Sequence, residues 1–237
     1  MSGHSKWSTI KRAKEKTDNE RGKVFTKIGR EIAVAVKLGG PDPALNSKLS
    51  DVIAKAKANN MPSDTINRSI KKASGVNDNV NYEEIFYEGY GPAGSALYVK
   101  CLTDNKNRTA GEVRHIFDRR GAGLGTTNSV GYLFNRKGVI EVGADELNFD
   151  KVMEIALEAG AEDIESVDDA IIVYTDPSAL NTVRDAIARE FEITSSGVEY
   201  VASMQMELDD ENFEKFEGLV EALEDLDDVQ AVYHNVK

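Results

Sequence analysis

Residues able to carry out catalysis are few and scattered in this 237-residue chain. The three histidines, His4, His115 and His234, lie far apart, so a histidine metal site or base would need three distant segments to converge. Cys101 is the single cysteine, which excludes an intrachain disulfide, a zinc ribbon and a Cys-x-x-Cys redox motif. It sits in the apolar run Ala96-Leu97-Tyr98-Val99-Lys100-Cys101-Leu102 and reads as a buried strand residue. Gly121-x-Gly123-x-Gly125 follows an expected helix and precedes an expected strand, the reverse of the order a dinucleotide fingerprint needs, and no Gly-Lys-Ser/Thr follows it. It reads as a connector, or as a loop whose backbone amides touch phosphates or a partner. No serine stands in a Gly-x-Ser-x-Gly elbow. Carboxylates are so numerous after residue 138 that no pair of them is diagnostic. The expectation is therefore a non-enzyme, with no metal, no cofactor and no small-molecule substrate.

What remains is the chemistry of cations. The net charge of −12 argues against a polyanion partner when taken as one number. Resolved along the chain it reverses. Residues 1–80 hold 16 Lys and Arg against 8 Asp and Glu, residues 81–137 hold 8 against 6, and residues 138–237 hold 5 against 27. A basic module joined to an acidic body is the pattern of a chain that docks a polyanion by one end and repels it from the rest. The candidate phosphate contacts are Lys6, Lys11, Arg12, Lys14, Lys16, Lys23, Lys27 and Arg30, with Arg68, Lys71 and Lys72 as a secondary rim. Lys and Arg supply affinity by displacing counterions from phosphates, and this does not discriminate DNA from RNA.

The elements that position these cations follow from periodicity. Over residues 23–38, Val24, Phe25, Ile28, Ile32, Ala35 and Val36 share one helical face. Lys23, Lys27, Arg30 and Lys37 gather within about 80° on the opposite, outward face. Gly39-Gly40-Pro41-Asp42-Pro43 ends that helix. A second helix is expected over 44–58 with Leu45, Leu49, Val52, Ile53 and Ala56 inward, and a third is capped by Ser63 or Asp64, with Ile66 and Ile70 inward. Residues 5–22, dense in Lys and Arg but with Trp7 and Ile10 as their only large apolar residues, read as a partly mobile basic arm.

After residue 80 the period changes. Strands are expected over 84–89 and 95–103, a helix capped by Asn107 or Thr109 runs to Arg120, and a strand follows over 130–134. Residues 138–202 then read as strand, helix, strand, strand, helix, strand, the ferredoxin-like βαββαβ order. A last strand at 204–208, a helix at 211–226 and a strand at 229–234 complete the unit begun at 81. The expected fold is an α+β multidomain chain. An N-terminal basic helical domain, residues 1–80, precedes two α/β domains, one built from 81–137 plus 203–237 and the other a ferredoxin-like acidic module, 138–202, inserted into it. No run of apolar residues is long enough to span a membrane and the first 30 residues show no secretory h-region, so a cytoplasmic protein is expected.

The chain also resembles a known family. Met1-Ser-Gly-His-Ser-Lys-Trp7, Arg21-Gly-Lys-Val-Phe-Thr-Lys-Ile28, Asn59-Asn-Met-Pro62, Tyr87-Glu-Gly-Tyr-Gly-Pro92, Cys101-Leu-Thr-Asp-Asn105, Glu112-Val-Arg-His115 and Val232-Tyr-His-Asn235 are similar to motifs of the YebC/PmpR family. The resemblance extends over the whole sequence. It implies three domains and a role in DNA-binding transcriptional regulation. Mitochondrial relatives activate translation of cytochrome c oxidase subunit I, and bacterial members are also described as ribosome-associated factors acting at proline-rich stretches. The expected partner is thus DNA, with ribosomal RNA as the alternative. The chain departs from the pattern at Asn46-Ser47-Lys48-Leu49-Ser50, where relatives often carry Pro and a further Arg in place of Ser47 and Ser50. That removes a cation from the second helix and moves the expected contacts to the arm and the first long helix.

Overall fold

A computed structural model describes residues 18–75, 81–143, 148–167 and 170–237. The chain divides into two compact units. Of the described residues, the first in sequence takes those of 18–129 with 209–232, and the second takes those of 130–208 with 233–237.

The first unit opens with three helices, α1 (Asp18–Gly39), α2 (Ser47–Ala58) and α3 (Ser63–Ala73). Ile28, Ile32, Ala35 and Val36 of α1 pack with Leu49, Val52 and Ala56 of α2 and with Ile66 and Ala73 of α3. The helical period places these residues on facing stripes, as the sequence requires. Leu45 departs from expectation: it is 85% exposed. The reason is the cap one residue later. The buried Asn46 accepts from the Leu49 N–H (3.1 Å) and donates to the carbonyls of Ala35 and Gly40 (2.8 Å each), so α2 begins after Asn46 and leaves Leu45 outside. Gly39 makes room for this cap, since a β-carbon there would come within 2.7 Å of the Asn46 side chain. For α3 the flanking residue is Pro62, without a side-chain cap, and Ser63 is already helical.

The same unit continues with β1 (Glu83–Tyr90) and β2 (Ala96–Thr103), an antiparallel hairpin in register Glu83↔Thr103 to Tyr90↔Ala96. There follow α4 (Lys106–Arg119) and the two-residue β3 (Gly123–Leu124). α7 (Asp210–Glu224) and β8 (Val229–His234) close it, and the sheet order is β3-β1-β2-β8. Asn105 caps α4, before either of the expected caps, Asn107 and Thr109. Phe117 of α4 and Phe216, Leu219 and Leu223 of α7 are fully buried, as is Cys101 in β2. Burial pushes the Cys101 thiol up to about 12, with the charge of Asp228 adding to it, so it stays protonated at neutral pH.

The second unit holds β4 (Phe134–Gly143), α5 (Phe149–Glu158), β5 (Asp163–Val167), β6 (Ala170–Thr175), α6 (Leu180–Ile187) and β7 (Ile193–Ala202). Its sheet is antiparallel in the order β5-β6-β4-β7, the ferredoxin-like arrangement of a βαββαβ chain. One face buries Ile140, Val142, Ile171 and Val173 against Val152 and Ala156 of α5 and Val183 and Ile187 of α6. Two expected strands differ. Residues 130–134 do not form a separate strand; Gly131–Leu133 is a 3₁₀ turn, and β4 runs on unbroken from Phe134. The polar stretch Asn135-Arg136-Lys137, left between two expected strands, is itself strand, because β7 pairs with it from Phe134↔Ala202 onward and Lys137 meets Glu162. Residues 204–208 form only an isolated bridge, Met206 to Val236.

Candidate nucleic-acid interface

Lys23, Lys27 and Arg30 stand on the face of α1 opposite its core, as the period requires, but this face is covered. Lys23 Nζ lies 2.9 Å from Asp225 Oδ1, and Lys27 Nζ donates to the Glu224 carbonyl at 2.7 Å. Both acceptors belong to the C-terminal end of α7, where unpaired carbonyls concentrate negative potential. Arg30 reaches furthest. Its Nη1 lies 2.5 Å from the Asp227 carbonyl and 2.6 Å from Asp228 Oδ1, and its guanidinium rests 5.8 Å from the Tyr82 ring centroid.

Asp228 is the centre of this contact. Its side chain is 2% exposed. Arg108 Nη2 lies 2.8 Å from Oδ2, and the Thr103 and Thr109 hydroxyls lie 3.0 and 2.6 Å from the same oxygen. Burial raises the carboxyl's pKa, but the hydrogen bonds from Thr109, Arg108 and Thr103 and the charge of Arg30 outweigh it, so Asp228 titrates below the usual carboxylate range. The same pairing, with Asp104, raises Arg108. The cleft beside Asp228, lined by Arg30, Arg108, Asp104, Glu112 and Asp227, holds more carboxylates than guanidiniums and does not suit a phosphate. This cluster has no signature in sequence: its members sit at positions 30, 103, 108, 109 and 228, and Asp227-Asp228 reads as ordinary acidic surface.

Arg68, Lys71 and Lys72 are placed differently. On α3 they project directly opposite Ile66, Ile70 and Ala73, all three are exposed, and none makes an ion pair or side-chain hydrogen bond among the described residues. Lys48 and Lys57 of α2, which sequence reasoning did not single out, are exposed and unpaired in the same sense, whereas Lys55 is held by Glu31 at 2.7 Å. Lys6, Lys11, Arg12, Lys14 and Lys16, the expected basic arm, lie outside the described residues. Among the described residues no group of three or more His, Cys, Asp or Glu is placed to hold a metal ion, and no helix is long and apolar enough to cross a membrane.

Residues 5–76 match the family described as the TACO1/YebC protein N-terminal domain, and residues 82–236 match the TACO1/YebC second and third domain. A probable transcriptional regulatory protein of Acetivibrio thermocellus is 54% identical over 99% of this chain and 98% of its own length. A protein of the same description from Ruminiclostridium cellulolyticum is 54% identical over 99% and 96%. The crystal structure of a conserved hypothetical protein from Aquifex aeolicus superposes with a TM-score of 0.85 at 42% identity, covering 93% of this chain and 91% of that one.

Proposed function

Because the chain belongs to the TACO1/YebC family, we propose that it is a nucleic-acid-binding transcriptional regulator that docks the phosphates of DNA through its helical third and acts in the cytoplasm without catalysis. The observation that carries this reading is the outward stripe of Arg68, Lys71 and Lys72, exposed and, among the described residues, unpaired in a chain whose net charge is −12. A cation left without a carboxylate amid such an excess of acid is available to a phosphate. In this reading residues 1–80 form the binding domain, 81–137 with 203–237 the middle domain and 138–202 an acidic insert. Lys6, Lys11, Arg12, Lys14 and Lys16 are further phosphate contacts in this reading, while Lys23, Lys27 and Arg30 act as positioning residues that fix α1 against residues 224–228. The relatives' description as probable transcriptional regulatory proteins supports a regulatory role.

The test is fluorescence anisotropy with a 20-base-pair duplex over a range of salt. Changing Arg68, Lys71 and Lys72 together to Ala should loosen binding alike for all sequences and reduce the slope of log K against log salt by about 2.7, at about 0.9 per lost contact. Unchanged affinity and slope would remove α3 from the interface. Duplex affinity that stays near the nonspecific level of ~10⁻⁴–10⁻⁶ M, with cosedimentation on ribosomes at moderate salt, would move the reading to a translation factor that uses the same face on ribosomal RNA.

A further inference from the structure

The C-terminal half of α4 presents a second set of unpaired Arg and His side chains, and a loop follows it. Arg114, His115 and Arg119 are exposed and make no ion pair or side-chain hydrogen bond among the described residues. The N-terminal half of the same helix is the reverse: Lys106 is paired with Glu83 at 2.5 Å, and Arg108 with Asp104 and Asp228. His115 and Arg119, one turn apart, share an outward stripe away from the buried Val113 and Phe117. In sequence, Asp118 is the only acidic residue between Glu112 and Glu141, and 119–140 is the longest stretch free of Asp and Glu in the chain.

The loop, residues 121–129, is held in one shape. Glu88, 6% exposed, binds it twice: its carbonyl accepts from the Gly125 N–H (2.7 Å) and its Oε1 from the Asn128 N–H (2.8 Å). The Tyr90 hydroxyl donates to the Ser129 carbonyl at 2.8 Å. Asn128 has φ +64°, and a β-carbon on Gly125 would come within 2.3 Å of Ser129 Oγ, so the shape depends on these residue types. Thr126 and Thr127 are left exposed at the tip. Burying a carboxylate is costly, and here a buried carboxylate is spent on fixing a surface loop. The dipole of α4 accounts for Arg119 at its C-terminus. It accounts neither for Arg114 and His115 further in nor for a loop fixed in this way.

We propose that this helix end and loop are a second phosphodiester contact, in which Arg114 and Arg119 neutralise backbone phosphates and the Thr126 and Thr127 hydroxyls donate to phosphate oxygens. The proposal rests on the reading of the chain as a nucleic-acid binder. It is independent of the cations on α3. Phosphates of DNA and of RNA offer the same acceptors, so both are used as probes: a 20-base-pair duplex and a 20-nucleotide RNA.

Arg114→Ala with Arg119→Ala should lower the salt slope by about 1.8 if the duplex is the partner, or by about 1.4 if the single-stranded RNA is. Arg114→Lys with Arg119→Lys should keep the slope, and Thr126→Glu with Thr127→Glu should weaken binding by setting carboxylates against phosphates. Both loop residues are exposed, so an unchanged melting temperature separates this effect from misfolding. Wild-type binding that is weakened by the α3 triple substitution but unaltered by the α4 and loop variants would overturn the second contact and leave the proposed function standing. Absence of wild-type binding to either probe would overturn both.

Discussion

Asp228→Asn is expected to destabilise the protein by about 3–5 kcal/mol, the range seen when one partner of a buried ion pair is removed. The substitution keeps shape and deletes charge. It leaves Arg30, whose side chain is 14% exposed, facing a neutral amide with no other carboxylate in its contacts among the described residues. It also turns two acceptor oxygens into one acceptor and one donor, against two hydroxyls and two guanidiniums that all served a carboxylate. Arg30 carries more of the effect than Arg108, which is 41% exposed and screened by water. Arg30→Met should therefore rescue part of the loss. The double variant should fall short of the summed single costs in urea denaturation, because removing both charges abolishes the uncompensated one. An additive result would show that Asp228 and Arg30 do not act as a pair.

The pH dependence follows with a definite sign. Asp228 has a folded pKa below its unfolded value of about 3.9. Its contribution is then fully present above that value and is lost as the pH falls through the lower folded pKa. The stability gap between the wild type and Asp228→Asn should be constant from neutral pH down to about 5 and shrink below about 4. A gap that closes between pH 6 and 8 would assign the effect to another group.

The helices and most strands were legible because their apolar residues repeat at 3.6 or 2 positions, and the βαββαβ order of the second unit was readable as a succession of such periods. Where reading failed, a single polar residue or a distant partner decided. Asn46 starts α2 one residue after Leu45 and so reverses the burial expected for that leucine. Residues 135–137 fall between two expected strands, and pairing to β7 makes them strand. Lys23 and Lys27 were correctly placed opposite the core of α1, but a helical period cannot show that residues 224–228, some two hundred positions later, close over that face. Charge reversal there is therefore expected to act on the fold. Glu at positions 23 and 27 would face Asp225 and the C-terminal carbonyls of α7, so the outcome is loss of stability as well as of positive charge. Arg68, Lys71 and Lys72 have no such partner among the described residues, and for them the sequence pattern and the structure give the same placement.

Gly89→Ala is expected to cost about 3 kcal/mol, at the upper end for overpacking a filled core. Gly89 lies in β1 where it pairs with Leu124 of β3. A β-carbon there would sit 2.3 Å from Phe117 Cε1 and 2.7 Å from the Gly123 carbonyl oxygen. Phe117 is fully buried and the carbonyl belongs to the backbone, so neither yields without moving an element: the ring must leave its rotamer or β3 must part from β1. The second response is coupled to the loop, because the Gly125 N–H bond to Glu88 lies one residue beyond the pair. Phe117→Leu in the Gly89→Ala background should recover part of the loss, although Phe117→Leu alone is itself destabilising by removal of ring atoms from the core. That sign of non-additivity, read from melting temperatures of the four proteins, identifies the ring as the obstruction. If the second substitution makes the Gly89→Ala protein still less stable by its full independent cost, the clash is with the Gly123 carbonyl. In that case, hydrogen exchange at Gly125 and Asn128 should speed up, as the β1–β3 pairing opens and releases the loop that Glu88 holds.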